Sequence, residues 1–221
     1  MKDWETMPDI RKVTTEKGRY YEIDRECYPS ITTILSAKEN RALKEWRERV
    51  GEKEAARISK ESTDIGTALH SFFECHLKGI KLPEPITEEE KQGYKMFQAG
   101  KTLISNYVKE VVAQECMVYS HILRVAGQFD LLCRNRKGEL VLVDFKSAKK
   151  RKYKSGVNDY RLQTAFYRQC IKETLGLDIH HSALFFVTRD LEAYWLRFEN
   201  NETDFKELVD VRLNFVEREG W

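Results

Sequence analysis

Asp144-Phe145-Lys146 closes the apolar run Leu140-Val141-Leu142-Val143, and Gly127-Gln128-Phe129-Asp130 lies shortly before it. Side chains alternate along a strand, so Asp144 and Lys146 share a face with Leu142 while Val141, Val143 and Phe145 pack the other way. A carboxylate and an ammonium then emerge together at the end of a buried strand, where burial without partners is costly. Arg136-Lys137-Gly138 supplies a turn that pairs the two strands antiparallel and lets Asp130 approach Asp144. Gly127 permits a bulge or a close backbone approach just before it. Two carboxylates aimed at one point repel unless a cation or a proton sits between them. Their hard oxygens favour Mg²⁺ or Mn²⁺ over zinc. With a lysine beside them, such a set suits metal-assisted phosphodiester hydrolysis. The alternative is a pair of surface-facing strand-end aspartates. Asp204-Phe205-Lys206 repeats the three letters in the first turn of a helical pattern, where an Asp is ordinary N-terminal charge and a Lys is solvated.

The elements that would hold these residues follow from pattern. Lys17 to Ile23 reads as a short strand or hairpin before a loop at Pro29. Ser30 caps a helix through Ile31, Ile34 and Leu35. Asn40 to Lys60 is charged and helical, with Leu43, Trp46, Val50 and Ala55 inward. Asp64 is the expected cap of the next helix, which buries Ile65, Leu69, Phe72, Phe73 and Leu77 and closes at Gly79. Gly66, His70 and Glu74 form one stripe beside that buried face. Thr87 and Glu88-Glu89-Glu90 open a helix reaching roughly Val111. The texture then changes: strands are expected at Gln114 to Ser120, Leu123 to Cys133 and Leu140 to Lys146. A helix follows over Asn158 to Leu175 and ends at Gly176. Gln163 and Tyr167, four residues apart, share one of its faces. Strands at Ser182 to Thr188 and Tyr194 to Phe198 precede a final helix over Thr203 to Glu219, with Phe205, Leu208, Val209, Leu213 and Val216 inward. The chain therefore reads as one α/β domain over 1–221. A mostly helical part spans 1–111 and the α/β core spans 112–221.

Composition sets bounds. The chain has 221 residues, 41% hydrophobic, enough for one buried core. Apolar runs are too short to span a membrane, and Met1-Lys2-Asp3-Trp4-Glu5 does not read as a signal peptide, so an intracellular, cytoplasmic setting is expected. Net charge is only +2, which leaves nucleic-acid binding to a local patch. Lys149, Lys150, Arg151, Lys152 and Lys154 form the one dense basic run, either a solvated loop or a phosphate contact. Cys27, Cys75, Cys116, Cys133 and Cys170 are scattered without a Cys-x-x-Cys pair, and read as reduced, mostly buried thiols. His76, His121, His180 and His181 read as surface or structural.

The ordered set Gly66-Thr67-Ala68-Leu69-His70, Gly127-x-x-Asp130, Asp144-x-Lys146 and Gln163-x-x-x-Tyr167 resembles the PD-(D/E)XK nuclease superfamily. Within it, the RecB-like branch of Cas4-type and mitochondrial-genome-maintenance-type exonucleases is most similar. Pro29-Ser30-Ile31-Thr32-Thr33-Ile34-Leu35 resembles that branch's N-terminal helix start. The resemblance covers residues 28 to 198. It implies a restriction-endonuclease-like core, a mixed central sheet flanked by helices. It also implies Mg²⁺ or Mn²⁺ held by His70, Asp130, Asp144 and the Phe145 backbone carbonyl, with Glu115 as a lesser ligand and Glu74 behind them. Lys146 would position the attacking water, and Gln163 and Tyr167 would support the active site and DNA. Some relatives carry a four-cysteine iron–sulfur cluster; Cys170 is the last cysteine here, so no cluster is expected. The implied activity is a DNA exonuclease acting on single strands or ends in repair, recombination or replication, with any helicase or recombination partner in trans. A structure-specific flap or junction endonuclease and a catalytically silent DNA-binding module are the alternatives.

Overall fold

The computed structural model describes residues 9–220 apart from Lys17, Glu39, Asn40, His180 and Asn200; the expectations for the first five residues, Asn40 and His180 lie outside the described residues. A five-stranded sheet organises the chain, with order β4-β5-β6-β7-β8. Its strands are β4 (Val108–Ser120), β5 (Val125–Asn135), β6 (Leu140–Ala148), β7 (His181–Thr188) and β8 (Ala193–Glu199). Only β6 and β7 run parallel; the other neighbours are antiparallel. A parallel pair needs a long crossover, and α5 (Asn158–Leu175) supplies it. This is the expected mixed sheet flanked by helices.

The alternation read from Leu140 to Lys146 separates two cores. Val141, Val143 and Phe145 pack with Leu69, Phe72, Phe73 and Phe97 on one face. Leu142 packs with Leu162, Phe166 and Ile171 on the other. The first face is covered by α3 (Glu52–Lys78) and α4 (Glu88–Tyr107), the second by α5, α6 (Glu202–Glu219) and α1 (Ile31–Ser36). Phe73 stacks on Phe145 with ring centroids 4.8 Å apart, which seats α3 on the strand that carries Asp144. Among the described residues, no helix is long and apolar enough to cross a membrane.

Local signals explain most boundaries. Ser30 caps α1 by accepting from the Thr33 amide at 2.9 Å. Thr87 and Glu90 form a reciprocal capping box that opens α4. Gly79 and Gly176 close α3 and α5 in the left-handed conformation. Gly93 has a packing role: a Cβ there would lie 2.7 Å from Ala68 Cβ and 3.1 Å from the Leu69 nitrogen. Gly93→Val should therefore push α4 off α3 and lower stability by about 1–3 kcal/mol. Denaturant unfolding monitored by circular dichroism reads this, and an unchanged midpoint would refute the tight approach.

Several expectations are corrected. Asp64 does not cap a helix; it lies inside the 27-residue α3, paired with Lys60 at i,i+4, and the break falls at Gly51 after α2 (Arg41–Val50). Helix α4 ends at Tyr107 and β4 starts at once, earlier than the strand expected at Gln114. Leu43 is 41% exposed rather than inward. On α6, Leu208 and Phe215 are buried while Phe205 and Leu213 are exposed. Asp204 is no ordinary first-turn charge: it is buried and ion-paired to Arg168 and Arg161. Only Cys133 and Cys170 of the five free cysteines are fully buried. The N-terminal part also holds a three-stranded antiparallel sheet, β1 (Ile10–Thr15), β2 (Gly18–Ile23) and β3 (Glu26–Pro29), where a short strand or hairpin ending at Ile23 and a loop at Pro29 were expected.

Candidate active site

Strands β4, β5 and β6 bring three carboxylates to one level. The pairs Gln114–Leu131 and Cys116–Phe129 bracket Glu115 beside Asp130. The β5–β6 ladder runs to Leu131–Val143 and stops one residue short of Asp130 and Asp144. Asp130 takes up the freed backbone group: its Oδ2 accepts the Phe145 N–H at 2.6 Å. The same oxygen lies 3.4 Å from His70 Nδ1 on α3. Glu115 has φ of +51°, in the left-handed region that a non-glycine residue occupies at a cost. Strain of this kind collects at functional sites.

A second group sits on the α5 side. Lys146 Nζ lies 2.5 Å from Asp144 Oδ2 and donates to Gln163 Oε1 at 3.2 Å. Gln163 Nε2 donates to Tyr167 Oη at 2.9 Å. The sequence pair on one helical face is thus one continuous chain to the lysine. Lys146 also lies over the Tyr160 ring, 4.8 Å from its centroid. A Cβ at Gly127 would come within 2.6 Å of Tyr167 Cε1, so this motif glycine makes room for the tyrosine. Gly66 likewise lets α3 approach Ser147 at the end of β6.

Electrostatics divides the carboxylates. Burial pushes Asp144 up to about 6, against the opposing pull of Lys146 and with a further push from Asp130. Burial, aided by the charge of Asp130, pushes Glu115 up to about 7. Burial would raise Asp130 too, but His70 and Lys146 outweigh it and hold it below its ordinary value. His70 is raised because Asp130 outweighs its desolvation. Lys146 is raised because Asp144 and Asp130 outweigh the effect of burial, so it keeps its proton.

These residues fit a divalent cation. Ligand atoms of His70, Glu115 and Asp130 lie within 4.8 Å of one another. Imidazole with hard oxygens suits Mn²⁺ or Mg²⁺. Asp144 is buried, and its Oδ2 faces the Lys146 ammonium at 2.5 Å, which places a carboxylate and a fixed positive charge side by side at the cleft. Phe145 meets the site through its N–H in this arrangement. Glu115 carries a testable linkage. Its folded value lies above its ordinary 4.5, so the folded state binds the extra proton and stability falls as pH rises from 4.5 to about 7. Glu115→Gln should raise the metal-free melting midpoint near neutral pH by ~2–4 °C, about 1 kcal/mol once solvent screening in an open cleft is allowed for. The gain should vanish near pH 4, and a pH-independent difference would refute the cause.

The other sequence candidates are spread around this centre. Glu74 lines the cleft and pairs with Lys78. His76 bonds Ser105 and His121 bonds Tyr28, away from it. Lys149, Lys150, Arg151, Lys152 and Lys154 are all exposed on the loop after β6. There Arg151 pairs with Glu192 and stacks over Tyr194. Sequence reasoning missed Gln128, which donates to both the Glu115 carboxylate and its carbonyl at 3.0 Å. It also missed Tyr160, whose position three residues before Gln163 was a readable signal.

Among solved structures, a protein of Eubacterium rectale described provisionally as an exonuclease aligns at 14% identity over 69% of this chain, with a TM-score of 0.49. This chain spans 65% of that protein. SSO0001 aligns at 12% identity over 85% of this chain and 83% of its own, with a TM-score of 0.42. A phage-related exonuclease from Haemophilus somnus aligns at 12% identity over 69% and 81%, with a TM-score of 0.34. No curated protein matches the sequence. Residues 83–219, which include Asp130, Asp144, Lys146, Gln163 and Tyr167, match the PD-(D/E)XK nuclease superfamily. With most of the chain matched and an Asp-x-Lys on a central strand beside a second aspartate, the protein belongs to that superfamily.

Proposed function

We propose that this chain is a Mg²⁺- or Mn²⁺-dependent deoxyribonuclease, working as an exonuclease on single-stranded DNA or DNA ends in repair, recombination or replication. The observation that carries it is the meeting of two groups in one cleft of about 420 Å³: His70, Glu115 and Asp130 on one side, and Asp144, Lys146, Gln163 and Tyr167 on the other. His70, Asp130 and Glu115 would hold the cation, joined by Asp144 and the Phe145 carbonyl. A bound divalent cation supplies an acidified water and stabilises the leaving oxygen. Lys146, held protonated by Asp144, orients the attacking water and offsets charge developing on the phosphorus oxygens. Gln163, braced by Tyr167, fixes where that ammonium points.

The exposed basic loop after β6, with Tyr153 projecting from it, is suited to guide a strand by phosphate contact and base stacking. We place the chain in the cluster-free RecB-like branch, as a single nuclease domain over 1–221. It would act inside the cell on DNA, with any helicase or recombination partner a separate chain. Incubation with 5′- and 3′-labelled single-stranded and duplex DNA, with Mg²⁺, Mn²⁺ or chelator, tests this. Mononucleotide release from one end is expected. Nicking of closed circular single strands would favour the structure-specific endonuclease, and binding without any cleavage the silent module.

A further inference from the structure

The β1–β2 hairpin lies outside the matched segment, yet it walls the catalytic cleft. Lys12 on β1 and Arg19 on β2 line it, with Thr32 at the start of α1. In the hairpin register Lys12 faces Tyr21 and Thr14 faces Arg19, so the antiparallel alternation puts both cations on one face. Arg19 is fixed at its backbone. Its N–H donates to Thr33 Oγ1 at 2.9 Å, and its carbonyl accepts from Thr33 Oγ1 at 3.0 Å and from the Ser30 N–H at 2.9 Å. Gly18 makes that approach feasible: its φ is +126°, and a Cβ there would lie 2.6 Å from Thr33 Cγ2. The Pro29-Ser30-Ile31-Thr32-Thr33 segment thereby holds the hairpin over the cleft.

Lys12 is tied to the candidate metal site. Its Nζ donates to Gln128 Oε1 at 3.3 Å, and Gln128 Nε2 donates to Glu115 Oε2 at 3.0 Å. Partial burial and the neighbouring Arg19 guanidinium hold the Lys12 ammonium below its usual range, with Glu115 opposing. Two cations sharing one wall repel each other, and an anion between them relieves that repulsion. We infer that the N-terminal hairpin is a phosphate clamp, in which Lys12 and Arg19 hold the nucleic-acid phosphate next to the scissile one; this rests on the nuclease reading above.

The test is fluorescence anisotropy of a labelled single-stranded oligonucleotide with chelator present, titrated with salt. Wild type is compared with Lys12→Gln/Arg19→Gln and with the charge-keeping Lys12→Arg/Arg19→Lys. Each neutralised phosphate of a single strand contributes about 0.7 to the slope of log affinity against log salt, so the first variant, which releases the one clamped phosphate, should lose about 0.7 and the second almost none. In the metal-dependent assay, KM should rise about tenfold, more than kcat falls. An unchanged slope and KM in the folded glutamine variant overturns the clamp. If circular dichroism finds that variant unfolded, exposed Arg19→Gln alone decides: a slope loss of up to about 0.7 with a raised KM is expected, and an unchanged slope and KM overturn the clamp. A hairpin-dependent slope in a wild-type protein that cleaves nothing leaves the clamp standing and removes the nuclease reading.

Discussion

Lys146→Ala lowers metal-dependent DNA cleavage about 10²–10³-fold, read as loss of labelled product from single-stranded DNA, with the far-ultraviolet spectrum unchanged. The lysine is 16% exposed at its side chain, within 2.5 Å of Asp144 and bonded to Gln163. Its raised pKa makes it a fixed positive charge rather than a base at neutral pH. Charge placed where negative charge develops counts most when water is excluded and nothing reorganises. Removal leaves Asp144, already pushed to about 6 by burial, without its counter-charge, and it responds by holding a proton more tightly. The metal-free fold is thereby spared an unpaired buried charge. Asp144→Ala should be equally inactive, since it removes both a proposed cation ligand and the group that keeps Lys146 charged. Undiminished cleavage by both purified variants would sink the assignment.

Legibility followed the range of the interaction. Helix α5 was readable to both ends because its apolar face, its polar pair Gln163 and Tyr167, and its closing Gly176 are local. The strand face shared by Asp144 and Lys146 follows from alternation alone, and the two cores sort Leu142 from Val141, Val143 and Phe145 accordingly. Asp64 misled because a good capping residue also serves as an i,i+4 partner inside a long helix. Asp204 misled because its partners, Arg161 and Arg168, come from α5 and not from its own helix. Strand β1 escaped notice because it is mostly exposed, so its alternation carries little apolar signal.

The site divides the same way. His70, Asp130, Asp144, Lys146, Gln163 and Tyr167 could be named from motifs because each sits at a fixed place on its own element. Glu115 ranked low in the sequence, yet it stands with His70 and Asp130. Its place depends on the β4–β5 register and on a left-handed backbone at that residue, neither of which leaves a local trace. Lys12 reaches Gln128 across 116 residues of sequence, a contact that only the folded chain defines.

Mn²⁺ is expected to raise the melting temperature of the wild type, and Asp130→Asn should abolish that rise and lower cleavage by a factor comparable to Lys146→Ala. One oxygen of Asp130 serves both His70 and the Phe145 N–H. The asparagine carbonyl can still accept from Phe145, so the end of the β5–β6 ladder is preserved while the negative charge is lost. In wild type, His70 is raised above its ordinary 6.5. Its stabilising contribution is full below that value and disappears as pH climbs through its folded value. Asp130 is lowered below its ordinary 3.8, so its contribution is present above that value and is lost as pH falls through its folded value. The pair therefore stabilises the metal-free fold most between about 3.8 and 6.5. The variant should be less stable than wild type in that window and closer to it near pH 8. His70, with burial no longer opposed by Asp130, should titrate below 6.5, which the imidazole proton resonances report. A wild-type Mn²⁺ response in the variant would detach Asp130 from the metal; an unmoved His70 titration would detach it from the histidine.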